Sequence, residues 1–334
     1  MQAAVLILGA RGRFGLAAAR AFADAGWRVI AHMRPGAQVP AEVFGDARIQ
    51  WLAHEVGQTE ALSALARGAS VVVHALNPAY TNKAWRAQAL PMLGASIEVA
   101  RALGATLMLP GNVYNFGQQM PAVLREDTPQ RASTVKGQIR IGMEEQLRRS
   151  GVRSIVIRAG DFFGSGQGTW FDQVIMKDIR KAVLTYPGPR EVATAWAYLP
   201  DLARTFVAVA QRRTRLAPFA VLHFRGHVVS AQQWLDALQP LAQTQGWTAP
   251  AGEVRFKRLP WPLLRMAGWV VPTLASLVEM RYLWETPHTL ANDRLRELIG
   301  EEPHTPLPQA LQCALEGLGY LDASAAQEAH RAAA

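Results

Sequence analysis

The chain has 334 residues, of which 50% are hydrophobic and 18% are charged, a globular composition that argues against a disordered chain. The formal net charge is +9, but the 35 Lys and Arg are dispersed rather than gathered in a stripe or arm, so nucleic acid is not expected as a partner and a small anionic ligand suits the charge equally well. A single cysteine, Cys313, excludes an internal disulfide framework and a cysteine-rich metal site.

In chain order, the first half alternates short apolar runs with helical patterns. The helical patterns FGLAAARAFADAG, EALSALARG and PMLGASIEVARALG end in glycine, as helices commonly do. Alternation of this kind predicts an α/β fold with a Rossmann-type, doubly wound parallel sheet. The apolar runs expected to be buried strands are Ala3–Gly9, Trp27–Met33, Ala69–Leu76, Ala105–Gly111, Arg153–Gly160 and Phe219–Gly226.

After about residue 227 the pattern changes, because helical stretches are interrupted by proline-rich connectors such as RLPWPLL and EEPHTPLP. This predicts a smaller, mostly helical C-terminal substrate lobe. We expect a dinucleotide-binding domain at 1–160 plus about 191–227, and a substrate-binding lobe at about 161–190 and 228–321. Residues 322–334 are polar and alanine-rich and are expected to be a flexible tail.

Two further features of the sequence concern burial and location. The most apolar run, Met266–Val278, is shorter than the ~20 residues that a spanning helix needs. We expect it to be a buried or pocket-covering helix, with peripheral membrane contact as the alternative. Cys313 lies in an apolar helical pattern and is expected to be a core thiol. Met1 is followed at once by an apolar strand rather than a secretory leader, so a cytoplasmic location is expected, and a homodimer is left open.

The first chemical motif is the glycine-rich segment from Gly9 to Gly15, GARGRFG, which follows the first predicted strand and opens a helix. Glycines let the backbone approach a pyrophosphate, and a helix N-terminus supplies N–H donors and positive potential. The segment therefore predicts a dinucleotide site. The residues expected to hold the cofactor are Gly9, Arg11, Gly12, Arg13, Phe14 and Gly15.

The end of the second predicted strand, Ala31-His32-Met33-Arg34, indicates which dinucleotide binds. An NAD site usually places an acid there to accept a hydrogen bond from the ribose 2′-hydroxyl, and this segment has none. Guanidinium groups pair with phosphate in a bidentate fork. We therefore expect NADP(H), with NAD(H) as the alternative, and with Arg34 and Arg11 as the best candidates for contact with a 2′-phosphate.

Together these segments resemble the short-chain dehydrogenase/reductase superfamily, in its extended (NAD-dependent epimerase/dehydratase-like) and atypical branches. GARGRFG, VVVHALNPAY, GNVYNFG, IRAGDFFG and AYLPDLAR match its motifs in the expected order over roughly residues 1 to 226. The resemblance implies that Ala75 and Leu76 lie against the cofactor and that Asn112 lies near the active site. Asp201 would hold the last part of the substrate lobe or cap a helix.

The chain departs from the family pattern at the catalytic positions. WLAHEV offers His54 or Glu55 in place of the third-strand Asp that contacts adenine. Pro110 stands where the catalytic serine belongs. Lys136 stands where the tyrosine of YxxxK belongs, and Arg140 where its lysine belongs.

The stretch STVKGQIRIGMEE is the centre of the catalytic prediction. In a helix, Lys136, Arg140 and Glu144 fall on one face, and Val135, Ile139 and Met143 form an adjacent apolar strip. The spacing is similar to that of the isoflavone-reductase-like and NmrA-like branch, which implies that Lys136 is the general acid/base beside the cofactor. The alternatives are that Lys136 and Arg140 only bind the cofactor, or that the charges form a solvated ladder.

Several other residues are candidates for the reaction. Tyr114 is a second proton donor, and Asn112 is expected to orient a substrate carbonyl or water. No metal site is expected, because the histidines show no metal-ligand spacing. An aromatic-rich C-terminal half favours an apolar or aromatic pocket. The aromatic residues expected to contact substrate are Phe162, Phe163, Trp170 and Trp261.

The leading hypothesis is thus an NADP(H)-dependent oxidoreductase that acts on a small, largely apolar carbonyl or enone. The first alternative is a redox sensor that binds NADP(H) without turning it over, since the serine and tyrosine are missing. A sugar-nucleotide epimerase or dehydratase is the second alternative, and it is disfavoured because that chemistry also needs the tyrosine.

Overall fold

The centre of the molecule is a seven-stranded sheet in the computed structural model, which describes residues 2–321 and leaves the predicted tail at 322–334 outside the described residues. Every neighbouring pair in this sheet is parallel. The doubly wound parallel sheet and all six strands predicted from apolar runs are therefore confirmed. In spatial order the strands are β11 (Phe219–His223), β7 (Ser154–Arg158), β5 (Thr106–Gly111), β4 (Val71–His74), β1 (Ala4–Leu8), β2 (Arg28–Met33) and β3 (Ile49–Ala53).

Helices cover both faces of this sheet. Side chains that alternate along each strand pack on one face against α3 and α4 and on the other against α1 and α5, whose bounds follow. Such two-sided burial explains why the central strands are apolar throughout. The helices are α1 (Arg13–Asp24), α2 (Thr59–Leu65), α3 (Asn82–Leu103), α4 (Val135–Arg149), α5 (Leu199–Arg212), α6 (Ala231–Thr244), α7 (Trp261–Ala267), α8 (Pro272–Glu279), α9 (Tyr282–Glu285), α10 (Asp293–Ile299) and α11 (Leu307–Gly317).

Three small sheets, separate from the central one, pair strands that follow β11 in the chain with strands that precede it. One has the strand order β12-β10-β8, and the other two are the parallel pairs β13-β9 and β14-β6. The lobe thus contains strand pairs that proline-rich connectors did not reveal, because each strand is only two to five residues long. The division into two domains stays a prediction. These strands are β6 (Val123–Leu124), β8 (Asp161–Phe163), β9 (Val183–Tyr186), β10 (Thr194–Tyr198), β12 (His227–Val229), β13 (Arg255–Arg258) and β14 (Thr289–Leu290).

The prediction that Met266–Val278 forms one buried or pocket-covering helix is wrong, while the alternative of peripheral membrane contact stays a prediction. Gly268 and Pro272 divide the run, so α7 ends at Ala267 and α8 begins at Pro272. The turn between the helices leaves Trp269 89% exposed and Val270 84% exposed. The segment is therefore a short helical hairpin with a solvent-facing tip rather than one buried helix.

The prediction that Cys313 is a core thiol is also wrong. It is exposed, because the buried side of α11 is formed by Ala310, Leu311, Ala314 and Leu315. Cys313 lies on the opposite side of the helix and is not a core thiol.

None of the helices within residues 2–321 is both long enough and apolar enough to cross a bilayer.

Candidate cofactor site and active site

The glycine-rich loop is shaped by close backbone contacts. Gly9 has a φ of +84°, and a Cβ there would lie 2.9 Å from backbone atoms of Ala75 and Leu76. A Cβ on Gly15 would lie 2.4 Å from the Gly9 carbonyl oxygen. Gly12 caps α1 without a side-chain hydrogen bond, so the first N–H groups of the helix have no side-chain acceptor from the cap. This cradle of N–H donors suits a pyrophosphate. A side chain in place of Gly9 or Gly15 would clash with the backbone.

His32 holds the glycine-rich loop through a hydrogen bond, a role that the sequence did not indicate. The Gly9 N–H donates to His32 Nδ1 at 3.3 Å, and His32 Nε2 lies 2.9 Å from the His54 carbonyl oxygen. These partners require a neutral ring with its proton on Nε2. Burial lowers the pKa of His32, which keeps the ring neutral. The residue at the end of β2 therefore holds the loop, where a family acid would read the ribose.

The three arginines near the loop have different surroundings. Arg11 and Arg34 are exposed, and neither side chain forms a hydrogen bond or ion pair within residues 2–321. Arg13 instead donates to the Gln167 carbonyl at 3.0 Å, and the Ser165 hydroxyl donates to the Arg13 carbonyl at 3.1 Å. Arg13 therefore holds the 164–168 loop against the start of α1, while Arg11 and Arg34 are free to meet an anion.

Phe14 and Phe162 join the phosphate loop to the core. Phe14 is buried and meets Phe206 of α5 edge-on, with ring centroids 4.7 Å apart. Phe162 is half-buried with its ring centroid 6.4 Å from that of Phe14. The Phe14 side chain is thus a packing residue, and only its backbone is placed to meet a cofactor.

Lys136 lies in a buried polar network at the start of α4. Its ammonium donates to Asn82 Oδ1 at 2.7 Å and lies 4.4 Å from the centre of the Tyr80 ring. Glu279 of α8 accepts from the Asn82 amide at 2.7 Å and from the Val135 N–H at 2.7 Å. Burial lowers the pKa of Lys136 to about 8, against the opposing charge of Glu279. A lysine in this condition exchanges protons near neutral pH.

Arg140 lies one turn further along α4, beside a small cavity. Its guanidinium stacks 5.1 Å from the centre of the Trp85 ring, and its Nε lacks a hydrogen-bond partner. The cavity is also lined by Leu76 and by His74, whose buried Nε2 lacks a partner too. Burial, followed by the Arg140 charge, lowers the pKa of His74 to about 3. One donor and one neutral acceptor thus lie beside this cavity without hydrogen-bond partners within residues 2–321.

Glu144 has a structural role. Arg158 of β7 donates to both of its carboxylate oxygens, at 2.9 Å and 2.7 Å, and both side chains are almost fully buried. Asn115 and Gln130 donate to the same carboxylate. The polar face of α4 is thus turned inward, while Val135 and Ile139 of the predicted apolar strip are only half-buried. The solvated-ladder interpretation does not hold in this structure.

Tyr114 and Asn112 lie at the carboxyl end of β5. Asn112 accepts from the Tyr114 N–H at 3.1 Å, and so shapes the turn that carries this tyrosine. Burial, followed by the charge of Asp161, raises the pKa of Tyr114, which keeps its hydroxyl protonated. Tyr114 can therefore donate a proton but not act as a tyrosinate base.

Asp161 is the main residue that sequence reasoning missed. It opens β8. Burial raises the pKa values of four tyrosines from separate elements, and the charge of Asp161 adds to the shift at each of them: Tyr80, Tyr114, Tyr186 and Tyr282. Burial raises the pKa of Asp161 itself to about 7, against a smaller effect from Trp284. The sequence signal was present, since this is a lone acid just after a buried strand, where α/β sheets bind ligands.

Replacing Asp161 with Asn is expected to remove a pH dependence of stability. The folded-state pKa of about 7 lies above the ordinary value of 3.8, so the wild-type contribution is complete below pH 3.8 and is lost as pH rises through 7. Relative to the variant, the wild type loses at most about 1.4 kcal/mol per pH unit over that interval. Urea unfolding of both proteins at pH 5 and pH 8 measures this, and an equal difference at both pH values contradicts it.

The four predicted substrate aromatics divide into two groups. Trp170 is half-buried and meets Tyr80 edge-on at 5.1 Å, near Lys136. Phe163, in contrast, is fully buried among Phe171, Tyr198 and Trp234, as expected for a core residue.

Trp261 is a core residue as well. It is 4% exposed and stacks on Trp284 with ring centroids 6.2 Å apart. Its Nε1 donates to the Pro187 carbonyl at 2.7 Å. The roles proposed for Phe163 and Trp261 as substrate contacts are therefore corrected to packing, and Trp170 and Phe162 remain candidates.

Asp201 ties the last part of the chain to α5, as the resemblance implied. It accepts from the N–H and the hydroxyl of Thr305, at 2.6 Å and 2.8 Å, and from Arg204. His227 and His304 lie close to the same carboxylate, in the one group of residues within 2–321 whose side chains could meet a metal ion. Because Arg204 and Thr305 already occupy both carboxylate oxygens, we assign Asp201 to this structural role.

The doubly wound sheet, with its glycine-rich turn after β1 and a polar cluster at its carboxyl edge, has the arrangement in which α/β folds bind ligands. Neither a protein-family model nor a curated protein matches the sequence. Solved structures do match in fold. The UDP-glucose 4-epimerase of Thermotoga maritima has a TM-score of 0.70 at 14% identity, over 94% of this chain and 98% of that one.

Two other solved structures give the same result. The NAD-dependent NDP-hexosamine 5,6-dehydratase TunA has a TM-score of 0.68 at 18% identity, over 97% of this chain and 100% of that one. MoeE5 in complex with UDP-glucose and NAD has a TM-score of 0.70 at 16% identity, over 94% and 97%. These likenesses confirm the Rossmann-type α/β fold over nearly the whole chain.

Proposed function

We propose that this protein is an NADP(H)-dependent oxidoreductase that acts on a small, largely apolar or aromatic carbonyl or enone. The proposal is carried by the glycine cradle at the start of α1 together with the buried Lys136 at the start of α4, whose ammonium donates to Asn82 and whose lowered pKa suits proton transfer. A nicotinamide dinucleotide is consistent with the solved structures of this fold described as NAD-dependent or NAD-bound.

In this proposal, bound NADPH supplies the hydride. Gly9, Gly12 and the start of α1 hold its pyrophosphate, and Arg140 with His74 meets the ribose. The Lys136 ammonium gives its proton to the substrate oxygen, and Tyr114 is the second donor on the same edge of the sheet. Trp170 and Phe162 provide apolar walls around the reacting group.

Arg34 decides the cofactor preference in this proposal. NADPH is expected to bind more tightly than NADH, and Arg34→Ala is expected to weaken NADPH binding by about tenfold to a hundredfold, as removal of a charged hydrogen-bond donor does. NADH binding should not change. Fluorescence titration with both cofactors measures this, and Arg131→Ala serves as a control because Arg131 is an exposed arginine elsewhere. A wide preference for NADH would overturn the assignment.

A second candidate is a redox sensor that binds NADP(H) without turnover. It is favoured by one observation: the Lys136 ammonium is fully buried and already donates to Asn82. A sensor must bind NADP⁺ and NADPH with different affinities. Equal affinities together with turnover in a carbonyl and enone panel would exclude it.

A sugar-nucleotide epimerase or dehydratase is the third candidate, and the described activities of the solved structures favour it. The replacement of the family tyrosine by Lys136 and of its lysine by Arg140 disfavours it.

A cytoplasmic location and a homodimer are also part of the proposal.

A further inference from the structure

The tip of the α7–α8 hairpin concentrates exposed apolar side chains. Within residues 2–321, five of the nine large apolar side chains that are exposed lie between Leu263 and Val271. Leu263 is 64% exposed and Met266 66% exposed, next to the almost fully exposed Trp269 and Val270. A contiguous apolar patch of this kind on a folded protein marks a surface that binds something.

The hairpin is firmly held at its base, so the exposure of its tip is a property of the fold. Trp261 at the start of α7 is buried against Trp284 and bonded to the Pro187 carbonyl. On α8, Leu277 is buried and the Ser276 hydroxyl accepts from the Asn82 N–H. A Cβ on Gly268 would lie 3.1 Å from the Ala275 backbone, so glycine allows the two helices to approach closely.

Exposed cations lie on the elements next to the α7–α8 hairpin. Arg265 lies within α7, Lys257 lies on β13 just before it, and Lys83 with Arg86 lies at the start of α3, which contacts α8. All four are exposed, and none forms an ion pair within residues 2–321. The acid of the neighbouring α9, Glu285, is already paired with Arg258 and Arg281. Against these four cations stand Glu253 before β13 and Glu279 at the end of α8, so the elements beside the hairpin remain net positive.

We propose that the α7–α8 tip docks on an anionic lipid surface. Trp269, Val270 and Met266 would enter the boundary between headgroups and acyl chains, where tryptophan is favoured. Lys257, Arg265, Lys83 and Arg86 would meet the lipid phosphates. The charge complementarity selects this occupant over a second copy of the chain, whose own tip carries the same positive charge. The hairpin docks without crossing the bilayer.

The test is flotation of the full chain with vesicles of phosphatidylcholine, with and without phosphatidylglycerol. Wild type is expected to float with the anionic vesicles and to be released by high salt, because screening weakens surface charge attraction. The double variant Trp269→Asp/Val270→Asp should partition onto these vesicles at least about a hundredfold more weakly, because two apolar side chains no longer leave water.

Phe44→Asp is the matched control, because Phe44 is 80% exposed on a different part of the molecule. It should float like wild type. Absence of flotation, equal flotation on neutral vesicles, or flotation of the tip variant like wild type would each overturn the proposal. Tip-dependent dimerisation without flotation, seen by light scattering, would overturn it in favour of a second copy. Cooperative urea unfolding confirms that each variant is folded.

Discussion

Replacing Glu144 with Leu is expected to lower the free energy of unfolding by about 3–5 kcal/mol, the usual cost of leaving one member of a buried ion pair uncompensated. Arg158 would lose both of its hydrogen bonds to the carboxylate while it remains 1% exposed. Asn115 and Gln130 would each lose an acceptor as well. Equilibrium unfolding in urea measures the loss.

The adjacent residue provides the control for Glu144. Glu145 pairs with Arg148 and Arg149, whose side chains are mostly exposed, so Glu145→Ala should change stability by no more than about 1 kcal/mol. The double variant Glu144→Leu/Arg158→Leu should recover much of the loss, because no buried charge then lacks a partner. Similar losses for the Glu144 and Glu145 single variants would contradict the assignment of Glu144 to a buried structural pair.

Replacing Lys136 with Met is expected to slow hydride transfer by about 10²- to 10⁴-fold, the usual contribution of a positioned general acid, while NADPH still binds. Methionine keeps most of the side-chain volume next to Tyr80 and removes the ammonium. Rapid-mixing measurements of NADPH oxidation, with a substrate found in the carbonyl and enone panel, provide the rate. Lys177→Met, at an exposed position, is the control.

The pH profile separates proton transfer by Lys136 from a purely structural role. The wild-type rate of reduction should fall as pH rises through about 8, because the ammonium that donates the proton is then lost. The reverse oxidation should rise over the same range. The residual rate of Lys136→Met should show neither trend. A variant that retains the wild-type rate and pH profile would remove Lys136 from the chemistry.

The parts of the fold that the sequence predicted are those defined by local rules. Buried parallel strands need continuous apolar runs, and a close turn next to β4 needs Gly9, so both are visible in a short window of sequence. β3 is the exception in the central sheet. It is an edge strand in which only Ile49 and Leu52 are buried, so only its position in the family pattern indicated it.

The partners of the candidate catalytic residues could not be predicted in this way. Lys136 meets Asn82, which is 54 positions away, and Val135 meets Glu279, which is 144 positions away. No local periodicity encodes such contacts. Asp161 was overlooked because its importance depends on tyrosines that four distant segments bring towards it.

Glu279 joins α8 to the start of α3 and the start of α4. At one end of α8 lies the exposed apolar turn. At the other end, the Glu279 carboxylate accepts the N–H of Val135 at the positive end of α4 and fixes the Asn82 amide that accepts a hydrogen bond from Lys136. A shift of α8 by a few ångströms would break these bonds and change the electrostatic field at the ammonium. The seating of the α7–α8 hairpin and the acidity of Lys136 thus depend on the same carboxylate.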